Sequence, residues 1–298
     1  MEKEAFDILS ATVLKEHRKI KWFKLSLFFR KKSAVMALAI LIAGIIMAVL
    51  GSAIAPYPDQ GLGEVNISER LCPPSAAYWF GTDTYGRDIL SRVICGARVS
   101  IFGGFFIVIC AAFIGVPLGL WAGYNEGFSG GLILRIVELF LSFPSTLIAM
   151  GISLVVGAGS ITALVALIIP WWPWYTRLVM GEVFSIKRML YVEAAQMLGY
   201  GKFYILWKHI LPNILTPVIV VILLDLGPAI IAIGLLSFLG LGTQSPNADW
   251  GLMVWEGASN ILDQWWIAIV PGAAMFIMVI AFNLFGDALK EILEPDRP

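Results

Sequence analysis

Few side chains in this sequence have the types and spacing that could support chemistry, and the first of them is a serine. Residues 127–130 have the pattern Gly-x-Ser-Gly, in which a serine can act as a nucleophile. Such a serine needs a histidine base within hydrogen-bonding reach. The two histidines, His17 and His209, both fall outside the apolar segments. We therefore interpret Ser129 as a turn residue and predict that the chain has no catalytic residue and is not an enzyme.

The sequence also lacks the patterns that bind metals and nucleotides. The three cysteines, Cys72, Cys95 and Cys110, have no metal-like spacing, and no cluster of His, Cys and carboxylates suits a metal centre. Residues 199–202, Gly-Tyr-Gly-Lys, are followed by Phe203, and the spacing of a phosphate-binding loop is missing. We therefore predict no metal and no cofactor, and a chain that does not itself hydrolyse ATP.

Asp225 is the acidic side chain in the most costly position. An acid at the centre of an apolar span costs about 2.5–3.5 kcal/mol on insertion scales, so Asp225 must face protein or a wet cavity. It could line a solute pathway with Trp172 and Trp174, where a substrate ammonium or a gating partner would be its counter-charge. It could equally hydrogen-bond to a neighbouring span or to backbone freed by Pro228, and the tryptophans could be packing or interface residues. The residues alone leave both interpretations open.

Composition places the chain in a lipid bilayer. Apolar residues make up 59% of the 298 residues and charged residues 14%, against roughly 25% charged in soluble proteins. A net charge of zero gives no reason to expect nucleic-acid binding. Uncharged segments long enough to cross about 30 Å of hydrocarbon predict six spans. The first two predicted spans lie at 33–55 and 99–124, and the last two at 211–236 and 264–285. The third begins at residue 132 and the fourth ends at residue 176, with a hairpin turn at 157–160 between them.

The positive charges predict the orientation of these spans. Of the 21 Lys and Arg residues, 17 fall on the side of the N-terminus and four on the other side. Because cytoplasmic segments carry the excess of Lys and Arg, both termini are predicted to be cytoplasmic. The segment 56–94, called the outer loop below, is then external.

A short stretch between the fourth and fifth spans has the clearest pattern. Residues 193–198 predict a short helix, and Gly199 is a natural left-handed stop just past its end. The stretch resembles the EAA loop of type I ABC-importer permeases, which is Glu-Ala-Ala, three residues, Gly, and a spacer ending in Ile-x-Leu-Pro. This sequence differs from the pattern at one position, where His209 replaces the usual Ile. The matching residues are Glu193, Ala194, Ala195, Gly199, Leu211 and Pro212, with Leu198 completing the helix.

Further motifs resemble the DppC/OppC-like subunits of the dipeptide/oligopeptide/nickel family of these permeases. The outer loop contains Phe-Gly-Thr-Asp followed by Gly-Arg-Asp and Ser-Arg, and shorter matches occur at 141–144, 175–177, 236–242 and 282–287. The first span and outer loop are similar to the N-terminal extension of that family. The residues that carry the outer-loop motif are Gly81, Thr82, Asp83, Gly86, Arg87 and Asp88.

The resemblance implies an all-α polytopic membrane protein with six transmembrane helices and the type I ABC importer permease fold. A short cytoplasmic coupling helix would lie between spans 4 and 5. The implied division is a cytoplasmic arm at 1–32, an N-terminal extension at 33–94 and a permease domain at 95–288. The permease domain contains the coupling loop at 185–210, and a cytoplasmic tail follows at 289–298.

The same resemblance implies a subunit of an importer in a prokaryotic plasma (inner) membrane. It would form half of the pathway for di- or oligopeptides or a related small solute. Its partners would be a homologous second permease subunit, two cytoplasmic ATPase subunits and an external solute-binding protein. The alternative is a self-sufficient secondary transporter, but such proteins often carry several intramembrane ionisable groups, whereas Asp225 stands almost alone here.

Overall fold

The structure, a computed structural model, describes residues 29, 31–125 and 127–293. The predicted N-terminal arm lies almost wholly outside these residues, as does the end of the predicted tail. The described residues form helices and loops without a β-strand, and a single β-bridge joins Thr82 to Asp88. The all-α prediction is confirmed.

Eleven labelled helices organise the described residues, with a 3₁₀ turn at Ile67–Glu69 and a π-helical turn at Leu206–Ile210 between some of them. In chain order they are α1 (Lys32–Ile54), α2 (Pro58–Leu62), α3 (Ile89–Tyr124), α4 (Phe128–Leu141), α5 (Ser145–Val156), α6 (Ser160–Lys187), α7 (Leu190–Met197), α8 (Lys202–Ile205), α9 (Leu211–Phe238), α10 (Trp250–Ala258) and α11 (Trp266–Leu293).

Five helical segments are long and apolar enough to cross a membrane: α1, α3, α6, α11, and a segment made of α8, the π-helical turn and α9. The third predicted span is a bent pair, in which α4 and α5 meet at 84°. The bend has a local cause, because Pro144 disfavours helical backbone at the residue before it. The six-span prediction therefore holds when the bent pair is counted as one span.

The second membrane helix starts ten residues earlier than predicted. The sequence places its start at residue 99 because charged residues precede that point, whereas α3 begins at Ile89. Asp88 accounts for the early start, since its carboxylate accepts a hydrogen bond of 2.8 Å from the Ser91 N–H and so caps the helix. Arg92, inside the helix, is tolerated because it is paired within the protein.

A seam of small residues packs α3 against α6. Gly115, Gly119 and Gly123 recur every fourth residue and so share one face of α3. A methyl group added at Gly119 would lie 2.7 Å from both the Thr176 carbonyl oxygen and the Val179 side chain, so the two backbones approach closely there. Small residues permit such close approach between membrane helices. The seam fixes α6 against α3, and α6 leads directly into the coupling loop.

The predicted orientation can be tested with single cysteines at Glu64 and Gly201, both exposed. Gly201 has an ordinary φ of −64° and open space around it, so a side chain is tolerated there. In a background with Cys72, Cys95 and Cys110 replaced by serine, a membrane-impermeant maleimide should label Glu64→Cys in intact cells. It should label Gly201→Cys only after permeabilisation. Equal labelling of both positions in intact cells would contradict the predicted topology.

Candidate functional site

The structure places a short helix between α6 and α9, where the sequence predicts the coupling helix. This helix, α7, is followed by Gly199 with φ +78°, the left-handed conformation that glycine adopts without the steric cost of a side chain. The Gly199 N–H donates to the Gln196 carbonyl at 3.0 Å and the Tyr200 N–H donates to the Ala195 carbonyl at 3.2 Å. These bonds satisfy carbonyls at the helix end. The direction of the chain beyond α7 therefore depends on Gly199.

Helix α7 has one anchored face and one exposed face. Val192 and Ala195 are buried in an apolar cluster with the ends of α3, α6 and α9. On the other side Leu190, Met197 and Leu198 are 84%, 87% and 76% exposed. Exposed apolar patches of this kind mark interaction surfaces. We call these three side chains, together with the exposed Glu193 and Ala194, the α7 surface.

The Glu193 side chain has no partner of its own within the described chain. No side chain caps the start of α7 at Met189, and Glu193 forms no ion pair with a described Lys or Arg. An acid in the first turn of a helix can cap that helix or pair with a basic group, and Glu193 lies in the first turn of α7. Among the described residues it does neither, and its side chain is exposed.

The end of α3 holds the coupling loop at three points. The Lys187 ammonium donates to the Tyr124 carbonyl at 3.0 Å and lies 5.3 Å from the centre of its ring. Gln196 Nε2 donates to the Tyr124 hydroxyl at 3.4 Å, and Lys202 Nζ donates to Asn125 Oδ1 at 2.9 Å. The end of α3 is therefore in contact with α6, α7 and α8.

The coupling loop enters α9 through a π-helical turn. Pro212 occupies the first turn of α9, where its missing N–H costs no hydrogen bond. His209, the departure from the usual EAA pattern, lies in the π-helical turn. Its ring centre is 5.6 Å from that of Tyr204 and 6.3 Å from that of Tyr191. The histidine thus packs among aromatic rings, as the usual apolar residue could.

At the far end of α9, four charged side chains are buried together. Asp83 Oδ2 accepts hydrogen bonds from Arg87 Nε at 2.7 Å and from Arg92 Nη1 at 2.9 Å. Glu256 Oε2 lies 3.0 Å from Arg87 Nη2 and 3.2 Å from Arg92 Nη2. The two arginines are 1% and 0% exposed, and the four formal charges sum to zero. This charge cluster ties the outer loop to α3 and to α10.

The remaining outer-loop motif residues shape the loop itself. Thr82 accepts a hydrogen bond of 2.8 Å from the Cys72 N–H, and Asp88 caps α3. Gly81 and Gly86 both have positive φ, and a methyl group at Gly86 would overlap the Asn66 carbonyl oxygen. These residues fold the outer loop against itself, so the motif is explained by structure.

Glu256 is the member of the charge cluster that sequence reasoning missed. It lies in α10, and none of the sequence motifs reaches that helix. Burial raises the pKa of its carboxyl to about 7, against the opposing effect of the Arg87 charge. The motif gave no signal for a further acid, because its two arginines are matched in number by Asp83 and Asp88. Only the structure shows that Asp88 caps α3 and leaves the second acidic partner to Glu256.

Between α4, α6 and α9 lies a cavity of about 380 Å³, which we call the aromatic cavity. The Asp225 carboxylate faces it and accepts a long hydrogen bond of 3.5 Å from Trp171 Nε1. The bend between α4 and α5 opens the space that the cavity occupies. The lining residues are Phe140, Leu141, Phe143, Ser145, Pro170, Trp171, Trp174 and Asp225.

Of the two tryptophans predicted beside Asp225, Trp174 lines the aromatic cavity and Trp172 does not. Trp172 packs edge-on against Phe140, with ring centres 5.8 Å apart. Trp171, which sequence reasoning did not select, takes its place. Residues 171 and 174 are three apart and so share a helix face with each other but not with residue 172. That spacing was the signal available in the sequence.

Comparison with known proteins defines the class. Residues 115–297 match the family described as binding-protein-dependent transport system inner membrane component. Residues 25–74 match the N-terminal transmembrane domain of oligopeptide transport permease C. The first match covers more than half of the chain, so this protein belongs to the family of binding-protein-dependent transport permeases. The resemblance predicted from the motifs is confirmed.

Three related proteins are similar to this chain over most of its length. It is 38% identical over 261 residues to a probable D,D-dipeptide transport system permease protein, DdpC, of Escherichia coli K12, covering 88% of this chain and 87% of that protein. It is 37% identical over 269 residues to a glutathione transport system permease protein, GsiD, of Pectobacterium atrosepticum (90% and 88%). It is 38% identical over 266 residues to a dipeptide transport system permease protein, DppC, of Alkalihalophilus pseudofirmus (89% and 86%).

The charge cluster predicts a large stability effect at Arg92. Replacing Arg92 with Met leaves Asp83 and Glu256 with one buried counter-charge, and breaking a buried ion pair costs about 3–5 kcal/mol. We expect the purified Arg92→Met variant to unfold at a clearly lower temperature than the unmodified protein in a thermal denaturation assay.

The matched control is Arg135→Met. Arg135 pairs with Glu138 on the surface, where the two side chains are 80% and 46% exposed, and such a pair contributes about 0–1 kcal/mol. Its unfolding temperature should stay close to that of the unmodified protein. Similar unfolding temperatures for the two variants would contradict a stabilising role for the charge cluster.

Proposed function

We propose that this chain is one transmembrane subunit of an ATP-driven, binding-protein-dependent importer. In this role it forms half of the translocation pathway for di- or oligopeptides or a related small solute. Family membership supports the transport role, and three relatives named for transport of D,D-dipeptides, glutathione and dipeptides support short peptides as cargo. The observation that carries the mechanism is the α7 surface, which no described element of the chain covers.

The α7 surface is the proposed docking point for a separate ATPase subunit. Leu190, Met197 and Leu198 offer apolar area, and Ala194 between them allows close approach of a partner. When the ATPase subunits close on ATP, a groove that holds α7 would displace it. Because Val192 and Ala195 are packed against the ends of the membrane helices, that displacement reaches α3, α6 and α9 as a rigid-body movement.

The proposed assembly follows from this division of labour. The sequence has no phosphate-binding loop, so two cytoplasmic ATPase subunits supply the free energy. A homologous second permease subunit completes the pathway, and an external solute-binding protein delivers the cargo. We place the assembly in a prokaryotic inner membrane with both termini in the cytoplasm, supported by the distribution of Lys and Arg.

The aromatic cavity is the part of the chain proposed to face the pathway. It joins α4, α6 and α9, and its only charged lining residue is Asp225. Non-helical backbone at membrane depth is tolerated where it lines a cavity, and the break between α4 and α5 lies here. A self-sufficient secondary transporter would need no ATPase docking surface, so the α7 surface favours the importer.

Two substitutions test coupling. Gly199→Val places a β-branched residue at φ +78°, a conformation it strongly avoids, so α7 should be misplaced. Glu193→Lys reverses the one charge of the α7 surface. We expect both variants to insert normally, because no apolar segment changes, and to lose import in proteoliposomes. Their ATPase subunits should dissociate on purification or hydrolyse ATP without responding to the loaded binding protein.

Gly201→Ala is the matched control, since Gly201 has φ −64° and open space around it. This variant should import at nearly the unmodified rate. Full import together with binding-protein-stimulated ATP hydrolysis in both Gly199→Val and Glu193→Lys would rule out the proposed coupling role.

A further inference from the structure

The aromatic cavity brings together side chains of one particular chemical character. Four aromatic rings, those of Phe140, Phe143, Trp171 and Trp174, line it with a single carboxylate, that of Asp225. The volume of about 380 Å³ lies at the lower end of the range for small-molecule pockets, about 300–1,000 Å³. The cavity can therefore admit part of a small solute.

The charge of Asp225 is not balanced within the described chain. None of the described Lys, Arg or His side chains lies within ion-pairing distance of it, and its protein contacts are a long hydrogen bond from Trp171 and a neighbouring phenol. That phenol, Tyr175, is fully buried beside Asp225, yet its hydroxyl makes no hydrogen bond of standard geometry. A partly buried carboxylate without a counter-charge is unfavourable, so the cavity is electrostatically suited to a cation.

The lining distinguishes an organic ammonium from a metal ion. Metal ions such as Ca²⁺ and Mg²⁺ require several oxygen ligands, and no group of three or more potential ligand side chains occurs among the described residues. Aromatic faces attract organic ammonium groups, because the face of the ring carries negative charge density. Four rings around one carboxylate therefore favour a group that is both positively charged and partly apolar.

We propose that the aromatic cavity is a transient binding site for an organic ammonium group, contributed by the free N-terminal amine of a short peptide in transit. The proposal rests on the proposed import function and assigns a chemical class to its cargo. A site with one carboxylate holds the amine weakly, and a conducting pathway requires that a bound group can leave again.

The test measures local charge selectivity directly, without relying on transport. Ser145 lines the same cavity and is partly buried, so a cysteine at this position reports on it. The complete importer, purified with its partner subunits and with the three native cysteines of this chain replaced by serine, would be placed in lipid nanodiscs. Ser145→Cys would then be reacted with a cationic (ethylammonium) or an anionic (ethylsulfonate) methanethiosulfonate of similar size.

We expect Asp225→Asn to lower the ratio of cationic to anionic reaction rates at Ser145→Cys by about tenfold. A tenfold change corresponds to about 1.4 kcal/mol of electrostatic free energy. Asp225→Glu should preserve the ratio. At Gly201→Cys, in the coupling loop, Asp225→Asn should leave the ratio unchanged. Alanyl-alanine should slow the cationic reaction at Ser145→Cys, whereas N-acetyl-alanyl-alanine, which lacks the amine, should not.

An unchanged rate ratio in Asp225→Asn would overturn the proposal, because the Asp225 carboxylate would then exert no attraction on a cation in the cavity. Equal protection by both peptides would also overturn it, since the amine would then not be what the cavity recognises. Either result could occur in an importer with normal uptake and stimulated ATP hydrolysis, so the proposed import function would stand. Loss of import in the Gly199→Val and Glu193→Lys variants tests that function separately.

Discussion

The structure depends first on one constraint, that backbone N–H and C=O groups in hydrocarbon must be hydrogen-bonded within the protein. Long regular helices meet this constraint over most of the chain. The break between α4 and α5 is the exception among the described spans, and it lies at the aromatic cavity. Irregular backbone is tolerated at membrane depth where it lines a cavity, and this is the cavity for which we propose solute binding.

Two sets of contacts, one at each end of the bundle, hold the helices together around this break. At one end α7 is anchored to the ends of α3 and α6 through Tyr124 and an apolar cluster. At the other end the buried charge cluster locks the outer loop onto α3 and α10. Because α3 takes part in both sets of contacts, we propose that a movement imposed on α7 also reaches the other end of the bundle. The interior of the bundle, where α4 and α5 bend beside α6 and α9, is the part left free to change.

Local chemistry explains which features could be predicted from the sequence. The spans follow from uncharged length, and the turn after α7 follows from Gly199, which has the left-handed backbone expected of it. Tertiary pairing explains what was missed. The early start of α3 requires buried partners for Arg92, one of which is Glu256 in a helix far along the chain. The bend has a local signal in Pro144, and the spacing of Trp171 and Trp174 places both on one face of α6. That this face meets Asp225 depends on how α6 and α9 pack, which neither span reveals by itself.

A photo-cross-link directly measures the proposed contact between the α7 surface and the ATPase. A benzophenone maleimide would be attached to Met197→Cys in the purified importer, in the background without native cysteines. Leu262→Cys, 95% exposed beyond the far end of α9, would be the control. The account predicts a cross-link to an ATPase subunit from Met197→Cys and none from Leu262→Cys. No cross-link from Met197→Cys in an importer that retains stimulated ATP hydrolysis would contradict it.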